Sequence, residues 1–228
     1  MTNGTVVLLF STFSQAQYEQ SVCAVRYIFI TWAPNRTMTF DHDKAMTLSR
    51  PDRSAIGSMD EAVKPLCDLI NGSDNYFTTS SCAGRIAVMS ESGDHNKQKA
   101  EWLFVSHHPI SITTLKSSLF PLPHHEVWFR QESMILHVMC RTHEDAFTLV
   151  GEAREVGLKR SGVISSKNRI VVEVLGTERL ELPIAVNGEL VVSDEYLELI
   201  VDIANKKLKR TREKIKKLKN RLSTFLGP

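Results

Sequence analysis

The sequence predicts an α+β fold: a mixed, largely antiparallel sheet with packed helices and a long basic C-terminal helix. Three observations lead there. The strand-like runs mostly follow one another as hairpins rather than alternating with helices as in βαβ units. Asn187-Gly188 lies between Ile184–Val186 and Leu190–Val192, a hairpin signal because both turn residues tolerate positive φ. Beyond Ser193, apolar residues recur in steps of three and four, the period of a helix with one buried seam.

Taken in order, Met1 to Thr39 shows neither alternation nor a helical stripe, and is read as an N-terminal extension of unknown structure. Residues 40–205 then form the main domain, and 206–228 a basic helix that continues it. Ser58 and Glu61 have capping-box spacing, and Pro65 opens a helix to Asn71 that Gly72 ends. Strands are expected at Tyr76–Thr79, Arg85–Met89 and Trp102–Ser106, the last two as a hairpin around the polar loop Ser90 to Glu101. Further strands fall at Glu126–Arg130 and Ile135–Cys140. Thr142 caps a helix to about Val156, with Gly157 as its stop. Gly162–Ser165 and Ile170–Leu175 return to strands.

The last helix opens with Ser193-Asp194-Glu195, a cap followed by acids that suit the helix dipole. Its seam runs through Leu197, Val201, Ala204, Leu208, Ile215, Leu218, Leu222 and Phe225, broken only by Thr211. At 1.5 Å per residue it would be roughly 45 Å long, so its far half is expected to protrude from the body.

Charge is concentrated there too. Lys206 to Arg221 holds ten Lys/Arg and one acid, a local charge of +9 against +2 for the chain, which leaves −7 elsewhere. A cationic arm on an acidic body points to a polyanionic partner, with a solvated helix face as the plainer alternative. The four cysteines are widely spaced, with no C-x-x-C pair, which fits a reducing compartment better than a disulfide framework. The longest apolar stretch, Val22 to Trp32, is broken by Arg26 and is shorter than the roughly 20 residues of a membrane span. Met1-Thr2-Asn3 lacks the positive charge of a signal peptide. A soluble, cytoplasmic protein is expected.

The densest chemistry lies in Thr78-Thr79-Ser80-Ser81-Cys82-Ala83-Gly84-Arg85. It combines hydroxyls, a thiol, a glycine that lets backbone approach closely, and a guanidinium suited to phosphate or carboxylate. The alternative is a polar corner with a buried cysteine.

This segment resembles the signature of the tRNA wybutosine-synthesizing protein 3 family, S/T-x-S-S-C-x-G-R. Family-like stretches follow in order at Trp102–His107, Ile135–Arg141, Ser161–Ile164, Thr177–Pro183 and Val192–Tyr196, with Pro65–Asn71 upstream. The resemblance spans about Phe40 to Asn220. His108 stands where the family usually carries an acid. The resemblance implies a methyltransferase that uses S-adenosylmethionine to N-methylate a tricyclic demethylwyosine base beside the anticodon of phenylalanine tRNA. No G-x-G-x-x-G is present, so the cofactor is not expected in a Rossmann loop.

Within these stretches Ser80, Ser81, Cys82, Gly84, Arg85, Ser106, Ser161, Thr177 and Glu178 are the candidate cofactor- or substrate-binding residues. Ser80, Ser81, Ser106 and Arg85 are expected to line one pocket. Loss of the nitrogen's proton calls for a base, for which His107 or His137 is the candidate, imidazole being the side chain best suited to that work. His137 could equally be a core histidine within a strand. Cys82 is read as packing the turn, because methyl transfer requires no nucleophile. The histidine pairs at His107-His108 and His124-His125 have no recognised ligand spacing, so no metal is expected. Lys206, Lys207, Lys209, Arg210, Arg212, Lys214, Lys216 and Lys217 are the candidate RNA contacts. The competing functions are a non-catalytic RNA-binding module and a cysteine hydrolase using Cys82 and His107.

Overall fold

The computed structural model describes residues 39–50, 59–91 and 101–226. The expected capping box at Ser58 and nearly all of the N-terminal extension lie outside them. The elements are α1 (Phe40–Leu48), α2 (Lys64–Gly72), β1 (Tyr76–Cys82), β2 (Arg85–Glu91), β3 (Glu101–Ser106) and α3 (Ile112–Ser118). They continue with β4 (Glu126–Glu132), β5 (Ile135–Cys140), α4 (His143–Glu155), β6 (Gly162–Ser165), β7 (Ile170–Leu175), β8 (Leu180–Val186), β9 (Glu189–Leu190) and α5 (Asp194–Leu226).

The α+β class stands, but the strands form two sheets, ordered β1-β5-β7-β6 and β3-β2-β4-β8-β9. Every pairing is antiparallel. The expected mixed, largely antiparallel sheet is thus found as two wholly antiparallel ones. A parallel pair needs a crossover of a dozen or more residues, whereas this chain steps from one sheet to the other through very short links. Those links are 83–84, 133–134 and 176–179, and together they form a waist between the sheets.

Close approach at the waist dictates glycine. Gly84 has φ +90°, and a Cβ there would lie 2.7 Å from the Glu132 carbonyl oxygen. At Gly176 a Cβ would fall 1.7 Å from Ser133 Oγ, and the Gly176 amide donates to the Met134 carbonyl at 3.1 Å.

Each sheet packs one face into its own core. The first core collects Leu66, Ile70, Leu136, Val138, Val172, Leu149 and the distal half of α5; the second collects Ile86, Val88, Phe129, Leu115 and its proximal half. The predicted seam of α5 is buried from Leu197 to Leu222, so the helix spans both cores and its far half does not protrude. Thr211 falls between the last residue on one core, Leu208, and the first on the other, Ile215. Fully buried, it donates its hydroxyl to the Lys207 carbonyl at 3.1 Å.

On the opposite face of the first sheet, α1 covers one end. Phe40 meets Phe77 edge to face at 5.1 Å, and Asp43 pairs with Arg169 at 2.9 Å. Pro183 is accommodated in β8 because the adjoining β9 pairs only with Ala185 and Val186.

Candidate active site at the waist

The signature segment is more extended than expected, since β1 runs to Cys82 and only Ala83-Gly84 turns the corner. Thr78 closes the step from α2: its amide and hydroxyl both donate to Asn71 Oδ1, at 2.7 and 3.1 Å. A β-bulge follows between Thr78 and Ser80, so Thr78 opposes Val138 while Ser80 opposes His137. An extra residue of this kind re-aims the side chains after it. Ser80 consequently shares the His137 face, opposite to the core residues Leu136 and Val138. Ser81, opposite Leu136, faces the other way and bonds the Cys67 thiol of α2. Burial, only partly offset by that bond, pushes the Cys67 thiol up to about 11.

On the open face, three side chains form a hydrogen-bonded line. Ser80 Oγ lies 2.8 Å from His137 Nδ1, and His137 Nε2 lies 2.9 Å from Glu173 Oε2. Ser80 is exposed, whereas His137 is 9% exposed, so the line runs from solvent inward. Five residues on, Arg85 donates from Nε to Glu132 Oε2 at 2.6 Å and stacks its guanidinium 4.5 Å from the Trp102 ring. Cys82, between them, is 6% exposed. Buried at the same waist, Ser133 Oγ and Gln131 Oε1 have no hydrogen-bond partner among the described residues.

The helix side of the waist holds a different set. His107 Nδ1 is 3.1 Å from Asp60 Oδ2, and Arg212 reaches both that carboxylate, at 3.5 Å, and the His107 carbonyl, at 2.6 Å. Burial alone would raise the Asp60 pKa, but the His107 hydrogen bond, the Ala62 amide and the Arg212 charge outweigh it and hold it at about 2. Glu178 accepts from Lys214 at 2.9 Å with Lys207 and Arg210 within 4.0 Å, and Lys214 also reaches Thr177 Oγ1 at 3.1 Å. Burial would raise Glu178 as well, yet these cations hold it below the usual carboxylate range.

The candidate residues are thus divided. Ser80, Cys82, Arg85 and His137 share one side of the sheets. Ser106, opposite Ile86 on the core side, bonds His108 instead of lying with Arg85. His107 is held by Asp60 and α5, away from Cys82. Ser161 is buried, donates to the Leu158 carbonyl at 2.7 Å and accepts from the Leu175 amide at 3.2 Å, so it ties the link between α4 and β6 to β7. Of the basic helix, Arg212, Lys207 and Lys214 turn inward, and Lys206 pairs with Asp202. Lys209, Lys216 and Lys217 are exposed, without an ion-pair partner among the described residues. Glu173 and Asp60 went unforeseen. Their histidine partners stand 36 and 47 residues away, and only strand register or a packed turn brings them together.

Among the described residues no group of three His, Cys, Asp or Glu side chains could hold a metal ion, and no helix is long and apolar enough to cross a membrane. Cys67, Cys82 and Cys140 are buried thiols that form no disulfide with one another.

A two-sheet antiparallel α+β fold, with no βαβ unit among the described residues, lies outside the Rossmann class of methyltransferases. Residues 42–224 match the family model described as Methyltransferase TYW3, and the chain belongs to that family. It is 40% identical over 170 residues to tRNA(Phe) 7-((3-amino-3-carboxypropyl)-4-demethylwyosine(37)-N(4))-methyltransferase 1 of Pyrococcus horikoshii, covering 74% of this chain and 87% of that one. It is 36% identical over 196 residues to the mouse tRNA wybutosine-synthesizing protein 3 homolog, covering 84% and 76%. The structure of the PH1069 protein from Pyrococcus horikoshii superposes with a TM-score of 0.75 at 37% identity, over 82% of this chain and 97% of that one.

Proposed function

We propose that this chain transfers a methyl group from S-adenosylmethionine to the N4 nitrogen of the demethylwyosine base in phenylalanine tRNA, the reaction named for its relatives. The observation that carries the assignment to a site is the Ser80–His137 hydrogen bond on the open face, inside the signature segment. His137 is the general base, and Ser80 is the group that meets the substrate's N–H.

The groups at the waist that support a cofactor site are polar and charged. Arg85 suits its carboxylate, while Glu132 and the unpartnered Ser133 hydroxyl suit its ammonium and hydroxyl groups. When bound, S-adenosylmethionine supplies a methyl group on a positively charged sulfur. The protein's own residues align the acceptor, limit water and take up the proton that leaves the nitrogen. The exposed lysines Lys209, Lys216 and Lys217, with Lys206 and Arg210, face RNA phosphates from α5. A tRNA substrate also fits a cytoplasmic location, as do the buried thiols.

The test uses the purified chain, tRNA carrying the unmethylated base and S-adenosylmethionine labelled in its methyl group. Incorporation of one labelled methyl per tRNA, with calorimetric binding of the cofactor, is expected. Intact tRNA binding with neither incorporation nor cofactor binding would overturn the reading in favour of a non-catalytic RNA-binding module.

A further inference from the structure

We propose that Glu173 is a positioning residue for methyl transfer, holding His137 in the tautomer whose Nδ1 receives the substrate proton through Ser80. The inference rests on the reading of His137 as the base.

The chemistry of the three groups orders the protons. A carboxylate only accepts, so the nitrogen that meets Glu173, Nε2, carries the hydrogen. A neutral imidazole has one N–H, which leaves a lone pair on Nδ1. Ser80 Oγ, 2.8 Å away, therefore donates its proton to Nδ1 and keeps its own lone pairs for an incoming N–H. Its exposure puts those lone pairs within reach of a substrate.

Strand register builds this arrangement. His137 and Glu173 are direct cross-strand partners on β5 and β7, and the bulge in β1 brings Ser80 opposite the same histidine. On its far side Glu173 opposes Gly162 of β6, so no neighbouring side chain there crowds the carboxylate. A histidine serving only the core would gain nothing from a solvent-facing serine on one nitrogen and a carboxylate on the other.

The proton on the acceptor nitrogen passes to Ser80 Oγ while the Ser80 proton passes to His137 Nδ1. The nitrogen's electron pair forms the new N–C bond, and the C–S bond breaks with its electrons going to sulfur, which becomes a neutral thioether. His137 ends as an imidazolium beside the Glu173 carboxylate, and loses the extra proton to solvent before the next turnover.

Single-turnover transfer by Glu173→Ala, at saturating tRNA and S-adenosylmethionine, should be slower by about 10- to 100-fold, the range for orienting partners of ligating histidines. The KM for tRNA should stay unchanged, because Glu173 acts through His137 and not on the RNA. Glu173→Gln, which keeps an acceptor oxygen but no charge, should recover part of the rate. The hydrogen-bonded Nε2 proton of His137 should give a resolved NMR resonance in the wild type that is lost in Glu173→Ala; should the alanine variant fold poorly, Glu173→Gln, whose oxygen still accepts, should keep the resonance but shift it, a signature read independently of turnover. Wild-type transfer and an unchanged resonance in Glu173→Ala, with His137→Gln slow, would overturn the role of Glu173 and leave the base in place. Wild-type transfer by His137→Gln would overturn the base itself.

Discussion

Gly84 is demanded by what lies against it. Its φ of +90° and the Glu132 carbonyl 2.7 Å from any added Cβ leave no route for a side chain that does not part the two crossing strands. Gly84→Ala should destabilise the protein by about 1–3 kcal/mol, measured by urea unfolding. An unchanged midpoint would mean that the waist is slack. Asp60 supplies a pH-dependent test. Its folded pKa, about 2, is below the ordinary value of 3.8, so its contribution is present above that ordinary value and is lost as pH falls towards 2. The stability gap between wild type and Asp60→Asn should hold steady above about pH 5 and narrow below pH 4. Thr78–Arg85 stands out from residue types alone as a run of hydroxyls, a thiol and a guanidinium. Which of Ser80 and Ser81 faces the core was not legible there, because the bulge that decides it is made against the partner strand. For the same reason Glu173 was invisible: nothing near it in sequence names His137 as its neighbour.

At the scale of elements, α5 carries most of what periodicity can show. The seam, its cap and the break at Thr211 were all readable, and the break marks the gap between two cores. Protrusion was the wrong inference from length, since one helix of 33 residues serves two sheets placed side by side. Truncation after Asn205 should therefore abolish cooperative folding, because it removes Leu208, Ile215, Leu218 and Leu222 from both cores. Replacing Lys209, Lys216 and Lys217 together with glutamine spares the seam. That variant should unfold like the wild type yet bind tRNA more weakly, with a log–log salt slope shallower by roughly 0.7 to 0.9 for each phosphate no longer neutralised. Unchanged affinity at low and high salt would make the stripe a merely solvated surface. The two short helices α1 and α3 were missed. Their sequences, FDHDKAMTL and ITTLKSS, lack an apolar stripe, and packing against the rest of the folded chain holds them in place.

For the molecule as a whole, hairpin order was enough to predict a largely antiparallel α+β fold, but not its division into two sheets. That division depends on three chain crossings meeting at one level, which single-sequence periodicity does not encode. The same crossings bring Gly84 and Gly176 against Glu132 and Ser133, with Arg85 bonded to Glu132 on the strand that leaves the first crossing. The most direct measurement is single-turnover methyl transfer by wild type and His137→Gln on the same modified tRNA, with tRNA affinity measured in parallel. A base in this role contributes about 10²- to 10⁴-fold. His137→Gln should lose that much in transfer rate with tRNA affinity unchanged, whereas wild-type transfer by His137→Gln would move the chemistry away from this face.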